Sequence, residues 1–486
     1  MKKEKQPAFQ RRDWIILIVI LIIAAALRQY KVNTPLADLH SWRQVDTAAV
    51  ARNYARNGID WLHPRYDDLS SLQTGHENPE GLRYVEFPIY NAIVGFIGSL
   101  LKSVPIEVIG RNVSAVFSLF IITAIYYLCL KETDRVTAAV AASVYAVFPA
   151  FVFFSRMVLP ETTALSFAMI SVMLTYMGLS REKTGKYILL LAAALSMAAS
   201  LLVKPTTIFY GIAIIFLFFR HYRLRTFKQF DAYLFAAIAV LPLAAWRYFI
   251  SFHPEGIPPS DWLITSVNTY EGLRNVFLKP AFFRWIFYER VSQIIFGGYL
   301  VFFFIMGLMS RPRRWLPHML VLSGMAYLFV FEGGNVQHEY YQTILLPALA
   351  IPVGMGTAYV VANAKNLINV MFVYLLMTVL FALSLFFSFY RVREYYSTPS
   401  DLPPIANIIK TLTNPNDKIV TDRLGDTTLL YLADRKGAPA IYKDPATLKT
   451  LGYKYLVTMN RETINQYKDQ EYRVVFENDK FAMFAL

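Results

Sequence analysis

The chain has 486 residues, of which 56% are hydrophobic and 17% charged, and its formal net charge is +14. Soluble proteins usually contain roughly 25% charged residues, and the mean hydropathy of +0.38 is high for such a protein. The apolar residues come in runs close to the roughly 20 residues that a helix needs to cross a bilayer. These features exclude an ordinary soluble globular protein and predict a polytopic α-helical membrane protein.

The positive charge lies mainly in short loops between the apolar runs. The clusters are Lys2, Lys3, Lys5, Arg11 and Arg12; Lys131 and Arg135; Arg181, Lys183 and Lys186; Arg220, Arg223, Arg225 and Lys228; and Arg311, Arg313 and Arg314. Short basic loops are typical of the cytoplasmic side of a membrane protein. We therefore expect no nucleic-acid partner, and the single Cys129 gives no disulfide framework.

The first apolar stretch, from Trp14 to Leu27, has the basic flank of a signal peptide. It lacks a small-residue cleavage site, so we interpret it as a retained anchor with a cytoplasmic N-terminus. From that start we predict about eleven spans in the cell (inner or plasma) membrane. They are 14–30, 107–130, 137–154, 162–180, 187–203, 206–220, 232–250, 292–309, 317–332, 342–362 and 367–390.

The segment 87–101 is interpreted as an interfacial or re-entrant helix, because it is short for a crossing and contains Asn91. If it crossed the membrane, Lys131, Arg135 and every later basic loop would move outside, against the positive-inside rule. The polar regions 31–106, 155–161, 251–291 and 333–341 are therefore predicted to face outward, and the C-terminus with them.

Two domains are predicted, a membrane domain over 1–390 that includes the first outer loop (31–106) and an extracytoplasmic domain over 391–486. The tail contains strand-like runs at Lys418–Thr421, Tyr455–Thr458 and Arg473–Phe476, and a helical stretch near 403–412. This pattern predicts a small α/β domain.

The first outer loop contains a predicted juxtamembrane helix. Ser41 and Gln44 have capping-box spacing, so the helix is expected to run from Trp42 to about Asn57. On it, Asp46 could act as a base or orient an acceptor in an outer cavity. The alternative is a surface ion pair between Arg43 and Asp46 one turn apart.

Other outward charges could belong to the same site. Glu86, in the stretch RYVEFP, could orient a ligand or could simply begin an interfacial helix. Glu161 follows Pro160 near a helix N-terminus, where an acid is stabilising without any function. However, Arg156 and Glu161 share one very short outer loop, which would allow them to share a site with Asp46.

Lys204 joins two apolar spans with almost no loop, where a lysine is costly and commonly pairs with an anion. A lipid-linked phosphate would suit Lys204, Arg156 or Arg43, although Lys204 could instead extend to the interface. In the outer loop NVQHEYYQT, His338 could contact a phosphate or sugar and Tyr341 could stack on a ring. An aromatic membrane belt would explain the tyrosines equally well.

The outer loops contain no HExxH, GxSxG, P-loop or DxD motif, so metal-dependent or serine hydrolysis and ATP use are unsupported. We expect no cofactor and no obligatory metal ion.

Five stretches together resemble the GT-C superfamily, membrane glycosyltransferases that use polyprenyl-phosphate-linked sugars. The similarity is to the family 39 branch, which includes protein O-mannosyltransferases and lipid A aminoarabinose transferases. The stretches are HSWRQVDTAAVARNYARNG (40–58), RYVEFPIYN (83–91), SRMVLPE (155–161), LLVKPT (201–206) and HEYYQTILLP (338–347). The tail matches only by position.

The resemblance implies that an acid of the first outer loop activates or positions the acceptor, here Asp46, with Asp38 as the second candidate. Glu161 corresponds to a second acid and Glu86 to the acid of the RYxExP stretch. In the aminoarabinose branch a lysine follows that glutamate, whereas this chain has Phe87. The donor phosphate would then contact one of four residues, which are Lys204, Arg156, Arg43 and His338.

The implied reaction is an inverting transfer, with a carboxylate base, to a hydroxyl of a glycan, lipid or protein acceptor at the membrane. A transporter or lipid flippase is the alternative, and it requires polar residues along a path through the membrane. The predicted spans are poor in such residues. A non-catalytic scaffold would leave the outward charges unexplained.

Overall fold

The computed structural model describes residues 9–260, 262–265, 276–311, 313–367 and 369–486. Lys2, Lys3 and Lys5, and part of the predicted outer region 251–291, lie outside these ranges. The chain divides into two compact units. The first comprises Met1–Val32, Arg111–Trp246 and Ser260–Glu394, and the second comprises Asn33–Gly110, Arg247–Pro259 and Tyr395–Leu486.

Seven helical segments within the described ranges are long and apolar enough to cross a membrane. They are Ile106–Glu132, Glu161–Leu179, Thr184–Val203, Pro205–Lys228, Phe230–Ile250, Glu339–Asn366 and Val370–Tyr396. A further pair, Pro280–Ile295 and Leu300–Met309, bends by 117° and counts as an eighth if it forms one span. The polytopic helical class is thus confirmed, whereas the number eleven stays a prediction.

The remaining predicted spans fall on shorter helices of the first unit. These helices are Arg11–Leu27, Arg135–Val147, Pro149–Phe154 and Leu316–Val330, followed by the short helix Glu332–Gln337. The predicted span 137–154 is divided because Phe148 has extended backbone and Pro149 begins a new helix. Proline disfavours the helical region for the residue before it, which accounts for the break.

Glycines allow two helices of the first unit to pack at backbone distance. A Cβ atom on Gly307 would lie 1.9 Å from the Pro352 carbonyl oxygen, and one on Gly356 would lie 1.9 Å from that of Phe303. Small residues permit such close approach between apolar helices. The segment Leu300–Met309 therefore lies directly against Leu346–Leu367.

The second unit contains six α-helices, numbered here in chain order. They are α1 (Ser41–Asn57), α2 (Ile89–Leu100), α3 (Leu402–Leu412), α4 (Thr428–Ala433), α5 (Pro445–Thr450) and α6 (Arg461–Asp469). The predicted helix near 403–412 is confirmed as α3. Helix α2 has 12 residues, about 18 Å at 1.5 Å per residue, which is short of the roughly 30 Å bilayer core.

Helix α1 is confirmed, but its predicted capping box is wrong. The N-cap residue is His40, in a left-handed conformation with φ 56°, and no side chain caps the helix. The Gln44 amide instead donates to Asp38 (2.7 Å) and to the Leu39 carbonyl (2.9 Å). Gln44 therefore holds the residues that precede α1 in place and does not accept a hydrogen bond from the free N–H groups of its first turn.

A five-stranded mixed sheet forms the core of the C-terminal residues. The strands are β1 (Lys418–Thr421), β2 (Gly437–Ala438), β3 (Tyr453–Thr458), β4 (Val474–Glu477) and β5 (Ala482–Ala485), in the order β2-β1-β3-β5-β4. β1 is parallel to β2 and β3, whereas β5 is antiparallel to β3 and β4. The predicted strand-like runs are confirmed as β1, β3 and β4, and with helices α3 to α6 they give the predicted small α/β fold.

Residues of the first outer loop pair with the free edge of this sheet. The Gly437 N–H donates to the Asp67 carbonyl (2.9 Å), and the Leu69 N–H donates to the Gly437 carbonyl (2.7 Å). Asp68 and Gly437 form a parallel bridge. The second unit therefore combines the first outer loop with the C-terminal residues, while the predicted division at residue 390 remains a prediction.

Candidate active site

Asp46 lies on α1 and is only 1% exposed. Its Oδ1 accepts a hydrogen bond from Thr427 Oγ1 at 2.6 Å. Its Oδ2 lies 2.7 Å from Arg83 Nη2, but the approach is outside hydrogen-bond geometry, so Oδ2 accepts no hydrogen bond. The predicted alternative, a surface pair of Asp46 with Arg43, is wrong because Asp46 is buried and its ion-pair partner is Arg83.

A second ion pair lies one turn away along α1. Arg43 pairs with Glu86, and its side chain is 5% exposed against 11% for Glu86. Arg43 and Asp46 are three residues apart on the helix, and Arg83 and Glu86 are three residues apart on the returning loop. Two short sequences, RQVD and RYVE, thus meet through crossed ion pairs.

Burial raises the pKa of the Asp46 carboxyl above its ordinary value of 3.8, because ionisation is disfavoured away from water. The charge of Arg83, the Thr427 hydrogen bond and the charge of Arg43 act in the opposite direction. The nearby Asp68 is also buried, which raises its pKa to about 6. Asp46 therefore has an environment suited to holding or accepting a proton.

Asp38, the second candidate base, is also buried, with 5% exposure. Its Oδ1 accepts the 2.7 Å hydrogen bond from Gln44.

In the first unit, the structure brings Glu161, Lys204 and Tyr341 together. Lys204 Nζ lies 2.6 Å from Glu161 Oε1 and 5.2 Å from the centre of the Tyr341 ring. Lys204 follows the end of one helix at Val203 and has extended backbone before Pro205. Because the helix ends there, the Lys204 side chain reaches Glu161, which is the first residue of another helix.

Arg156 and His338 have different surroundings in the same unit. Arg156 is 1% exposed and donates to the Tyr30 carbonyl. The His338 ring stacks against Tyr340 and Tyr341, at centroid distances of 5.5 and 6.3 Å. His338 is therefore near Tyr341, as its position in the sequence suggests, whereas Arg156 contacts the backbone that follows the first helix, Arg11–Leu27.

Two residues in direct contact with Asp46 were missed by sequence reasoning. Arg83 belongs to the RYVEFP stretch, and its spacing of three residues from Glu86 is the signal in the sequence that points to it. Thr427 lies 381 residues from Asp46 in the chain, and no local pattern connects them. Among the described residues, no group of three or more His, Cys, Asp or Glu side chains could hold a metal ion.

A family of dolichyl-phosphate-mannose-protein mannosyltransferases matches the chain over residues 88–249. The match includes the stretches around Glu161 and Lys204 but not α1, which precedes it, nor His338, which follows it. No curated protein matches the chain.

Solved structures extend the likeness to nearly the whole chain. ArnT from Cupriavidus metallidurans, bound to undecaprenyl phosphate, has a TM-score of 0.67 and 13% identity, with 98% of each chain covered. The apo structure of the same protein has a TM-score of 0.66 and 14% identity, with 97% of each chain covered. The archaeal oligosaccharyltransferase AglB from Archaeoglobus fulgidus, in complex with an inhibitory peptide and a dolichol-phosphate, has a TM-score of 0.57 and 12% identity. The match covers 94% of this chain and 70% of AglB.

At these identities the structural likeness establishes a shared fold. Together with the family match, it confirms the resemblance to GT-C superfamily glycosyltransferases.

Proposed function

We propose that this chain transfers a sugar from a polyprenyl-phosphate-linked donor to a hydroxyl group of an acceptor. The reaction takes place at the outer face of the inner or plasma membrane, with the N-terminus in the cytoplasm. The acceptor is a cell-envelope glycan, a lipopolysaccharide or an exported protein. The fold shared with ArnT bound to undecaprenyl phosphate, over 98% of both chains, is the observation that carries the proposal.

In the proposed reaction, the acceptor oxygen attacks the anomeric carbon of the sugar from the side opposite the phosphate. The bond between that carbon and the phosphate oxygen breaks, and its electron pair leaves with the polyprenyl phosphate. The acceptor proton passes to a carboxylate base. The products are an inverted glycoside and a polyprenyl phosphate.

We assign the base to Asp46. Its Oδ2 accepts no hydrogen bond and has Arg83 as its ionic partner, so a proton can be added there without breaking the bond from Thr427 to Oδ1. Since Asp46 is only 1% exposed, acceptor binding has to open access to this oxygen. The paired Arg43 and Glu86 then position substrate groups next to it.

We assign contact with the donor phosphate to Lys204. Its ammonium already lies against one carboxylate, Glu161, whose oxygens accept no hydrogen bond from the described residues. A phosphate that approached Lys204 would exchange one anionic partner for another, and the leaving-group charge would be stabilised where it develops. Glu161, Tyr341, His338 and Arg156 complete the proposed donor site.

The first test is Asp46→Asn in the full-length protein. The amide keeps the size and the Thr427 contact but cannot accept a proton at neutral pH, so we expect at least a 100-fold loss of transfer. Transfer is measured as release of undecaprenyl phosphate from a lipid-linked sugar donor with an envelope extract as acceptor. Asp60→Asn is the matched control, because Asp60 is an exposed acid of the same loop.

Full transfer by a folded Asp46→Asn protein would remove Asp46 from the role of base. The wider proposal has its own test, which is mass spectrometry of envelope glycans with and without the protein. Flux of a lipid-linked sugar in proteoliposomes with no glycoside formed would favour transport over transfer.

A further inference from the structure

A charged cleft of about 440 Å³ lies within the second unit. Its walls come from the C-terminal half of α1, from Asp67, Leu69 and residues 79–80 of the outer loop, and from residues 415–418 and 434–436. Asp46 does not line it. Asn53 does, and it lies seven residues beyond Asp46 on α1, roughly 10 Å along the helix axis.

The four acidic side chains of the cleft are all paired. Asp67 pairs with Arg52 at 2.6 Å, and Asp434 pairs with Arg56 at 2.8 Å. The other two have partners from outside the cleft lining, Glu80 with Arg65 at 2.8 Å and Asp417 with Lys454 at 2.6 Å. The negative charge of the lining is therefore already compensated.

Three cations of the lining have no carboxylate partner among the described residues, and they are Lys418, Arg435 and Lys436. Lys418 Nζ donates to the Leu451 carbonyl at 3.4 Å. Arg435 is 4% exposed and donates to the Thr413 hydroxyl and to four backbone carbonyls. Because none of these acceptors is charged, the positive charge of Arg435 remains uncompensated at the cleft wall. A buried charge without a counter-ion is costly.

Lys436 is the cation best placed to meet a ligand. Its ammonium makes no hydrogen bond or ion pair with the described residues, although its side chain is partly buried. Burial lowers its pKa from the ordinary value of 10.5, as does the neighbouring charge of Arg52, while Asp67 opposes this effect. Lys436 is thus partly buried beside other cations and has no anion of its own. An anionic ligand that bound there would compensate its charge.

The cleft is larger than a bare anion needs, since pockets of about 300–1,000 Å³ bind small organic ligands. Beyond its charges, the lining includes the amides of Asn57 and Asn416, and that of Asn53, whose Nδ2 also donates to the Arg65 carbonyl at 2.7 Å. Side-chain amides both donate and accept hydrogen bonds, as the hydroxyl groups of a sugar require.

We propose that this cleft binds an anionic saccharide of one or two units, whose phosphate or carboxylate contacts Lys436 and whose hydroxyl groups contact the asparagine amides. The site is separate from the Asp46 carboxylate. It stands on the geometry of the second unit and does not depend on the proposed transfer reaction.

The test is isothermal titration calorimetry of the full-length protein in nanodiscs of neutral lipid. Glucose 1-phosphate is the probe, and methyl glucoside and inorganic phosphate are the comparisons. We expect saturable binding of glucose 1-phosphate that is at least tenfold tighter than binding of either comparison. Lys436→Met should weaken it at least tenfold, whereas Lys480→Met, at an exposed lysine outside the cleft lining, should not.

A second measurement uses the unmodified protein and so does not depend on how a variant folds. Glucose 1-phosphate should protect Lys436 from acetylation by acetic anhydride, as read by peptide mass spectrometry, and leave Lys480 unprotected. Unchanged binding by Lys436→Met, or equal affinity for inorganic phosphate, would overturn the saccharide site. Loss of binding in an Asp46→Asn protein that unfolds at the same temperature as the unmodified protein would also overturn it, because the probe would then occupy the Asp46 site.

Discussion

Asp46 and Glu86 each pair with an arginine that lies three residues before the other acid in the sequence. The ion pairs cross between α1 and the returning loop, so each arginine satisfies a carboxylate on the other segment. Removing one member of a buried pair leaves the other without compensation, which is strongly destabilising. The four residues therefore act as one unit, and substitutions there need tests that separate folding from chemistry.

The pH dependence of transfer provides such a test. Asp46 acts as a base only when ionised, so kcat/KM should fall as the pH falls through its pKa, which burial raises above 3.8. Arg83 lowers that pKa, and Arg83→Met should therefore move the acidic limb of the profile to higher pH. The measurement is kcat/KM against pH for both proteins, with thermal unfolding to verify that the variant is folded.

Arg65→Met is the matched control for this shift. Arg65 lies on the same loop but pairs with exposed acids, Asp60 and Glu80. The acidic limb of the Arg65→Met profile should therefore coincide with that of the unmodified protein. A shift of the Arg83→Met limb to lower pH would contradict the assignment of Asp46 as the titrating base.

Sequence reasoning identified Asp46, Glu86, Glu161 and Lys204 because each is a charge at an unusual place, in an outer loop or beside an apolar span. It assigned the partners less well. Arg43 was paired with Asp46 by helical spacing, whereas the loop supplies a closer cation, Arg83. Contacts between segments far apart in the chain are set by tertiary packing, which helical periodicity does not encode.

At the scale of elements, α1 and α2 approach so closely that glycine is required between them. A Cβ atom on Gly95 would lie 2.6 Å from Tyr54 Cβ and 2.9 Å from the Ala51 carbonyl oxygen. The Asn91 amide, one turn earlier on α2, donates to the Thr47 carbonyl at 2.7 Å. Thus α2 supports the turn of α1 that directly follows Asp46.

Gly95→Ala should therefore destabilise the second unit and reduce transfer. Neither contacting atom is the end of a flexible side chain, so the helices must separate, and overpacking of this kind costs roughly 1–3 kcal/mol. The measurement is thermal unfolding in detergent together with the rate of transfer. Gly211→Ala is the control, since no atom lies within 4 Å of an added Cβ there, and an unfolding temperature equal to the control would reject the packing argument.

The elements themselves were predictable where a pattern is local and long. Apolar runs predicted the membrane helices, and short strand-like runs predicted β1 and β3. The two-residue strand β2 had no such pattern, because its pairing with β1 is decided by the sheet that surrounds it. The break at Phe148–Pro149 was missed because hydropathy continues across it, although proline is the known reason for such breaks.

At the scale of the whole molecule, the sequence predicted a membrane part and an α/β tail but not that the first outer loop pairs with the tail. Gly437 is central to this pairing, since it bonds to the backbone at Asp67 and Leu69 and also pairs with Ile419 of β1. A Cβ atom on Gly437 would lie 1.8 Å from the Ile419 carbonyl oxygen.

We expect Gly437→Ala to loosen the sheet edge and with it the attachment of the outer loop. Because the obstructing atom is backbone, the cost should be about 1–3 kcal/mol, seen as a lower unfolding temperature and faster proteolysis of the loop around Asp67. Gly185→Ala, with open space around its Cβ, is the control. Proteolysis of the loop at the control rate would show that the pairing at Gly437 is dispensable.

The hydrogen bond from Thr427 to Asp46 has a consequence for synthesis of the protein. The two residues are 381 positions apart, and chains grow at about 5–20 residues per second, so Asp46 is made roughly 20–80 s before its partner. During that interval Asp46 has its ion-pair partner Arg83, which comes from the same loop, but lacks the hydrogen bond from Thr427. A nascent or prematurely terminated chain would therefore expose this region to proteases, and only a completed chain could close it.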